Sequence, residues 1–326
     1  MSSLSQPTTM RSLTFHGLMP GPRVIVLGAV HGNETCGTQA TERLDAELER
    51  GDRQLRCGTL TMVPRTNPLA WQLGSRMGDR NLNRNLRVTD DPQDFEDRIA
   101  NVLCPLLAQH DVLLDLHSFH TGGQPFIMLG PRDNDGELEP FRRAREEEAL
   151  AACLGPRRMV EGWLDTYARG VARRMKNPNA SLRAQMLSTD PSYGVGTTEY
   201  MRSQGGIAVT LECGQHDDPN APVVAYNAII NTLAHLGMLE TPATPGQDNP
   251  EVLRLVEVID RDHPDDHFAR EWKSFDPLTK GDRIGMRADG TEVRAPADGF
   301  IVFPNPNALP GNEWFYRAEL SDRPVV

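Results

Sequence analysis

Two short apolar runs, RVIVLGAV at residues 23–30 and DVLLDL at 111–116, hardly alternate with polar positions, which predicts strands buried on both faces. GIAVTLE at 206–212 repeats the pattern and ends in an acid. Thr59–Val63 and Gln124–Leu129 predict two further strands. Between these runs the apolar positions fall at helical spacing. Thr35–Arg50 places Leu44 and Leu48 one turn apart, with Gly51 to close the helix. Asp94–Gln109 gathers Phe95, Ile99, Val102, Leu103 and Leu106 on one face, and further helices are predicted over Glu137–Cys153, Gly162–Lys176 and Pro222–Leu236. Strands alternating with helices predict an α/β fold, a mostly parallel or mixed central sheet flanked by helices.

The pattern changes after Leu239. TPATPGQDNP has three prolines and a glycine in ten residues and marks a linker. Beyond it, short apolar runs separated by KGD, ADG, PADG and PNPN predict a small, mostly β domain reaching the end of the chain. The 326 residues are enough for one large domain and one smaller one. A net charge of -11 argues against a nucleic acid or an anionic membrane as partner. Five cysteines without a CxxC pair fit reduced thiols in a cytoplasm. The N-terminus has no apolar core of a signal peptide, and no run approaches the roughly 18 apolar residues of a membrane span. A soluble cytoplasmic protein is predicted, and a homo-oligomer stays open.

In an open α/β sheet, ligands collect at the carboxyl ends of the strands. The first apolar run leads there into His31-Gly32-Asn33-Glu34, the second ends at His117, and the third ends at Glu212. An imidazole and a carboxylate three residues apart suit one zinc ion, and a catalytic zinc takes three protein ligands. The pair alone is weak, since roughly 0.5 HxxE matches are expected by chance in such a chain. A histidine bonded within a turn and a glutamate opening a helix would read the same way. His117 supplies a third ligand, with His120 as its rival, and Asp115 shares the strand face of His117 and is placed to orient it. Glu212 would be costly in an apolar strand without a partner or a task. Beside an activated water it would act as general base; a salt bridge to one of the many arginines is the alternative.

HGNE, the Asn-Arg pair within RNLNRNL, DLH and TLECG, in this order, resemble the zinc carboxypeptidase superfamily, and within it the aspartoacylase and succinylglutamate desuccinylase family. The resemblance implies a zinc-hydrolase catalytic domain over 1–245, a C-terminal β domain over 246–326 that caps the active site, and one Zn2+ per chain. It implies that His31, Glu34 and His117 hold the metal and that Glu212 is the base. Asn83 and Arg84 would grip the substrate carboxylate, Arg76 would polarise the scissile carbonyl, and Arg202 would bind an acidic side chain of the substrate. Tyr316, in GNEWFY with Glu313 before it, would reach the site from the C-terminal domain. The implied activity is removal of the acyl group from an N-acyl amino acid. A peptide-cleaving metallocarboxypeptidase and an inactive zinc-binding regulatory protein are the alternatives. The family's usual Asp-Leu-Asn-Arg reads Asn81-Leu82-Asn83-Arg84 here, and the missing carboxylate would loosen the loop or alter what the site accepts. Cys213, next to the base, reads as packing, because a nucleophilic thiol would want a histidine partner. TEVRAPADGFIVF resembles biotinyl and lipoyl barrels, but no lysine lies in or after it to carry such a group.

Overall fold

The structure, a computed structural model, describes residues 5–176, 189–242, 244, 245 and 249–325. Its strands are β1 (Leu13–His16), β2 (Arg23–Leu27), β3 (Thr59–Val63), β4 (Val112–Phe119), β5 (Phe126–Met128), β6 (Arg158–Glu161) and β7 (Ile207–Gln215). They continue as β8 (Glu251–Asp260), β9 (His267–Phe268), β10 (Pro277–Leu278), β11 (Arg283–Met286), β12 (Glu292–Arg294), β13 (Gly299–Val302) and β14 (Glu313–Leu320). The helices are α1 (Cys36–Glu49), α2 (Pro68–Leu73), α3 (Phe95–Leu107), α4 (Ala144–Cys153), α5 (Trp163–Arg174), α6 (Thr197–Ser203) and α7 (Ala221–His235).

The strands β1-β3-β2-β4-β7-β5-β6-β8-β14-β13-β10 form one sheet in that spatial order. From β3 to β8 every pairing is parallel except β7 with β5. The mixed, mostly parallel sheet expected from the sequence is therefore present. Its middle strands carry unbroken apolar runs because both faces are covered. Val24, Val26, Leu114 and Leu116 pack on one side with residues of α1, α4 and α7. Ile25, Leu27, Leu113 and Ala208 pack on the other with α3 and with Met201 of α6. Asp115 and His117 of β4 and Glu212 of β7 point to this second side, in the periodicity of two that follows from Leu113 and Ala208.

Beyond residue 250 the chain is β-structured. It joins the central sheet through β8, which runs parallel to β6 in a register from Arg158↔Glu251 to Glu161↔Arg254, and β14 and β13 extend that sheet. β12, β11 and β9 make a separate three-stranded sheet, and Trp314 and Phe315 fill the core nearby. Part of the proline-rich linker, residues 243 and 246–248, lies outside the described residues.

Two of the differences from the sequence reading have a local cause. The first apolar run stops as a strand at Leu27, because Ala29 adopts φ 47°, a left-handed conformation that ends extended pairing. The helix expected from Glu137 begins only at Ala144; Pro140 disfavours helical backbone at the residue before it, and the segment forms a bridge, Asn134↔Phe141, instead.

Candidate active site

The turn after β2 is fixed by its neighbours. Thr66 and Asn67 donate their backbone N–H groups to the carbonyls of Gly28 and Ala29, and Asn67 then caps α2 by accepting from Ala70. Gly32 is required where the turn meets α2: a Cβ there would fall 2.0 Å from the carbonyl carbon of Ala70. Strain at Ala29, of order 1–2 kcal/mol, is thus held in place by surrounding bonds.

These constraints bring His31 and Glu34 against His117 of β4. All three are buried, and their ligand atoms lie within 4.8 Å of one another, the one such group found among the described residues. Glu34 bridges the rings, with Oε1 2.9 Å from Nδ1 of His31 and Oε2 2.9 Å from Nδ1 of His117. Oε2 also accepts the backbone N–H of Ser118 at 3.1 Å. Burial alone would raise the Glu34 carboxyl, but the two histidines outweigh it and hold it well below the usual range. Burial pushes the His31 imidazole down to about 4. For His117 burial is outweighed by Asp115 and Glu34, which raise it well above its ordinary value. His120 also lines the cleft but is not in this group; its ring lies 6.4 Å from that of His216.

Asn81 is the residue whose role the sequence left open. Its Oδ1 lies 2.9 Å from Nε2 of His31 and also accepts the N–H of Asn83. The Asn81 amide oxygen is thus the polar partner of that ring nitrogen. The loop carrying it is anchored by buried Arg80, which donates to Asp94, to Asp97 and to the carbonyls of Asn81 and Arg84. Glu96 accepts the backbone N–H groups of Gly78, Asp79 and Arg80.

Glu212 stands beside His117 in the β4–β7 register, and Thr210 beside Asp115. Its Oε2 is buried without a partner among the described residues. Burial raises this carboxyl to about 8, opposed by His117 and reinforced by Glu34. Arg76, half exposed, donates from Nη1 to Oε1 of Glu34 at 2.8 Å. Arg84 is mostly buried, its guanidinium 4.6 Å above the ring of Trp163 and 3.8 Å from Glu313. Asn83 accepts the N–H of Thr197 through Oδ1. Tyr316 of β14 reaches the same cleft, with its hydroxyl buried and unpartnered among the described residues. Arg202 also lines the cleft, but its guanidinium faces Glu147 and Glu139. Cys213 is buried, its thiol raised by burial, while His216 bonds Ser118.

The cleft that these residues surround holds about 200 Å³ of free space, and Trp163, Phe303, Asn305, Thr198 and Glu199 complete much of its wall. The model of the succinylglutamate desuccinylase/aspartoacylase catalytic domain matches residues 20–236. The chain belongs to this family. A curated relative, the N-alpha-acetyl-L-2,4-diaminobutyric acid deacetylase of Halomonas elongata, is 27% identical over 303 residues, covering 86% of this chain and 77% of the relative. A succinylglutamate desuccinylase/aspartoacylase from Rhodobacter sphaeroides has the same fold, with TM-score 0.70 and 18% identity over 96% of this chain and 90% of that one. The product-bound ectoine utilization protein EutE (DoeB) from Ruegeria pomeroyi superposes with TM-score 0.69 at 21% identity, over 94% of this chain and 88% of that one. Family and relatives together indicate an N-acyl amino acid deacylase. No helix among the described residues is long and apolar enough to cross a membrane.

Proposed function

We propose that the protein is a zinc-dependent hydrolase that releases the acyl group from a small N-acyl amino acid, with one Zn2+ per chain held by His31, Glu34 and His117. The observation that carries this reading is the convergence of three buried donor atoms within 4.8 Å on one rim of the sheet, next to a carboxylate oxygen of Glu212 that has no partner among the described residues. Two imidazoles and a carboxylate are a suitable donor set for a catalytic zinc with an open position. When bound, the ion supplies Lewis acidity and a water acidified to near neutrality.

This chain's residues supply the rest. Glu212 takes a proton from the attacking water and delivers it to the amide nitrogen as the C–N bond breaks, giving a carboxylic acid and a free amino acid. Burial, which raises this carboxyl, helps it hold the proton before returning it. Arg76 places a cation where negative charge develops on the acyl oxygen. Arg84 presents a planar fork suited to the substrate's α-carboxylate, with Asn83 beside it. Tyr316 and Glu313, brought by the C-terminal β segment, close one side of the cleft. The activity named for the curated relative, which acts on a small acylated amino acid, supports this class over a peptide substrate.

The test is hydrolysis of a panel of N-acetyl and N-succinyl amino acids, with a short peptide set beside it. Turnover of at least one acylated amino acid is expected, with Glu212→Gln lowering kcat by roughly 100- to 10,000-fold while zinc stays bound. A Glu212→Gln protein as fast as wild type would remove the assigned base; preference for peptides would point to a carboxypeptidase.

A further inference from the structure

One carboxylate in the cleft stands between two guanidinia and is bonded to neither. Oε1 of Glu313 lies 3.8 Å from Nη2 of Arg84 and 3.9 Å from Nη2 of Arg174. Both separations are too long for a hydrogen bond. Burial would raise the Glu313 carboxyl, but Arg84 and then Arg174 outweigh it and hold it below its ordinary value, so it carries a charge near neutral pH. Arg84 and Glu313 line the cleft; Arg174 is not among the lining residues.

The fold fixes Arg174 in this place. It closes α5, and Nε and Nη2 grip the carboxylate of Asp260 at 3.0 and 2.7 Å. Asp260 is the register partner of Glu313 across β8 and β14. Gly170 lets α5 settle on β8, since a Cβ there would fall 2.5 Å from a methyl of Val258. The ring of Tyr167 lies 5.2 Å from the Arg174 guanidinium and 5.6 Å from that of Arg84. With Nε and Nη2 engaged, Arg174 still keeps a donor, Nη1, buried and without a partner among the described residues.

A carboxylate beside Arg84 helps to hold the guanidinium in place, but it also competes with a substrate carboxylate for the same fork. Direct pairing of Glu313 with Arg84 would have to be broken at every binding event. A second guanidinium behind Glu313 divides the attraction. We propose that Arg174 is a positioning residue for substrate binding: it holds the Glu313 carboxylate off Arg84, and it takes that carboxylate on its free Nη1 when a substrate carboxylate docks on Arg84. The proposal rests on the reading of Arg84 as the group that binds the substrate's carboxylate.

The test follows the zinc-loaded protein on the fastest N-acetyl amino acid of the panel above, with substrate-free crystals of each variant beside it. Arg174→Met should raise KM about tenfold and leave kcat within about threefold, because Glu313 then closes on Arg84. Adding Glu313→Gln should bring KM back to within about threefold of Glu313→Gln alone, since the competing charge is gone. A residue that only supports the fold would show no such rescue. Arg174→Lys is the milder variant and carries the test if Arg174→Met does not fold. Its ammonium keeps a charge for Asp260 but loses the fork that serves two carboxylates, so KM should rise about threefold with the same rescue.

The crystals need no turnover. In Arg174→Met or Arg174→Lys the Glu313 carboxylate should stand within about 3.2 Å of an Arg84 nitrogen, a true hydrogen bond. If no acylated amino acid is hydrolysed yet the carboxylate makes that move, the deacylase reading falls and the role of Arg174 stands. A carboxylate that stays out of hydrogen-bond reach of Arg84 in these variants overturns the proposal. So does a KM that is unchanged, or raised and not restored by Glu313→Gln.

Discussion

Nε2 of His117 lies 3.0 Å from Oδ2 of Asp115, two residues back on the same face of β4. The opposite nitrogen of the ring faces Glu34, so the imidazole is held between two carboxylates of which only one belongs to the candidate metal group. Asp115 is itself fixed by the hydroxyl of Thr197. Such a partner sets the tautomer of a ligand histidine and raises its basicity, and its loss typically lowers metal affinity 10- to 100-fold. Asp115→Asn should therefore weaken zinc binding by about that factor, read by competition with a chromophoric chelator. Unchanged affinity would leave Asp115 with no part in holding the metal.

Arg84 combines burial, a stacking partner in Trp163 and the nearby Glu313 carboxylate, and all of these are in place before substrate arrives. Truncating a buried charge that pairs with a ligand costs about 2–4 kcal/mol. Arg84→Ala should lower kcat/KM by roughly 30- to 1000-fold, mostly through KM. Arg84→Lys should recover only part, because an ammonium keeps the charge and loses the fork. A KM unmoved by Arg84→Ala would take this residue out of substrate binding.

Asp266, far from the cleft chemistry, makes the clearest pH prediction. Burial would raise its carboxyl, but Arg287 and the backbone N–H groups of Asp262, Ala288 and His263 outweigh that and hold it at about 2, below the ordinary 3.8. A depressed folded-state pKa gives stability that is complete above 3.8 and is lost as pH falls toward 2. Urea midpoints measured from pH 5 to pH 2 should fall more steeply in wild type than in Asp266→Asn. Parallel curves would show that this carboxylate contributes no pH-dependent stability.

The parts of the candidate site that could be read from the sequence are those that close or follow an apolar run. His31, His117 and Glu212 each follow an apolar run buried on both faces, so their type and position together separated them from the surface polar residues. Partners set by distant loops left no such signal. Nothing local ties Asn81 to His31, fifty residues away, and only the folded loop shows an amide accepting there. Arg202 illustrates the same limit. Its offset from Glu212 is visible in the chain, but Glu139 and Glu147, which engage its guanidinium, come from a segment about sixty residues earlier. The short helix α6 that carries Glu199 is too brief to impose a periodicity, and so its wall of the cleft was not legible. The pairing of β8 with β6 was equally hidden, because register between distant strands is set by packing and not by either sequence alone.

The central claim is that His31, Glu34 and His117 hold one zinc ion on which hydrolysis depends. Its most direct test is to strip the purified protein with a chelator and titrate zinc back while following release of free amino acid from an N-acetyl amino acid. The rate should fall to background on stripping and recover linearly to a plateau at one zinc per chain, with no recovery in His117→Ala. Full activity in the stripped protein, or recovery in His117→Ala equal to that of wild type, would contradict the account.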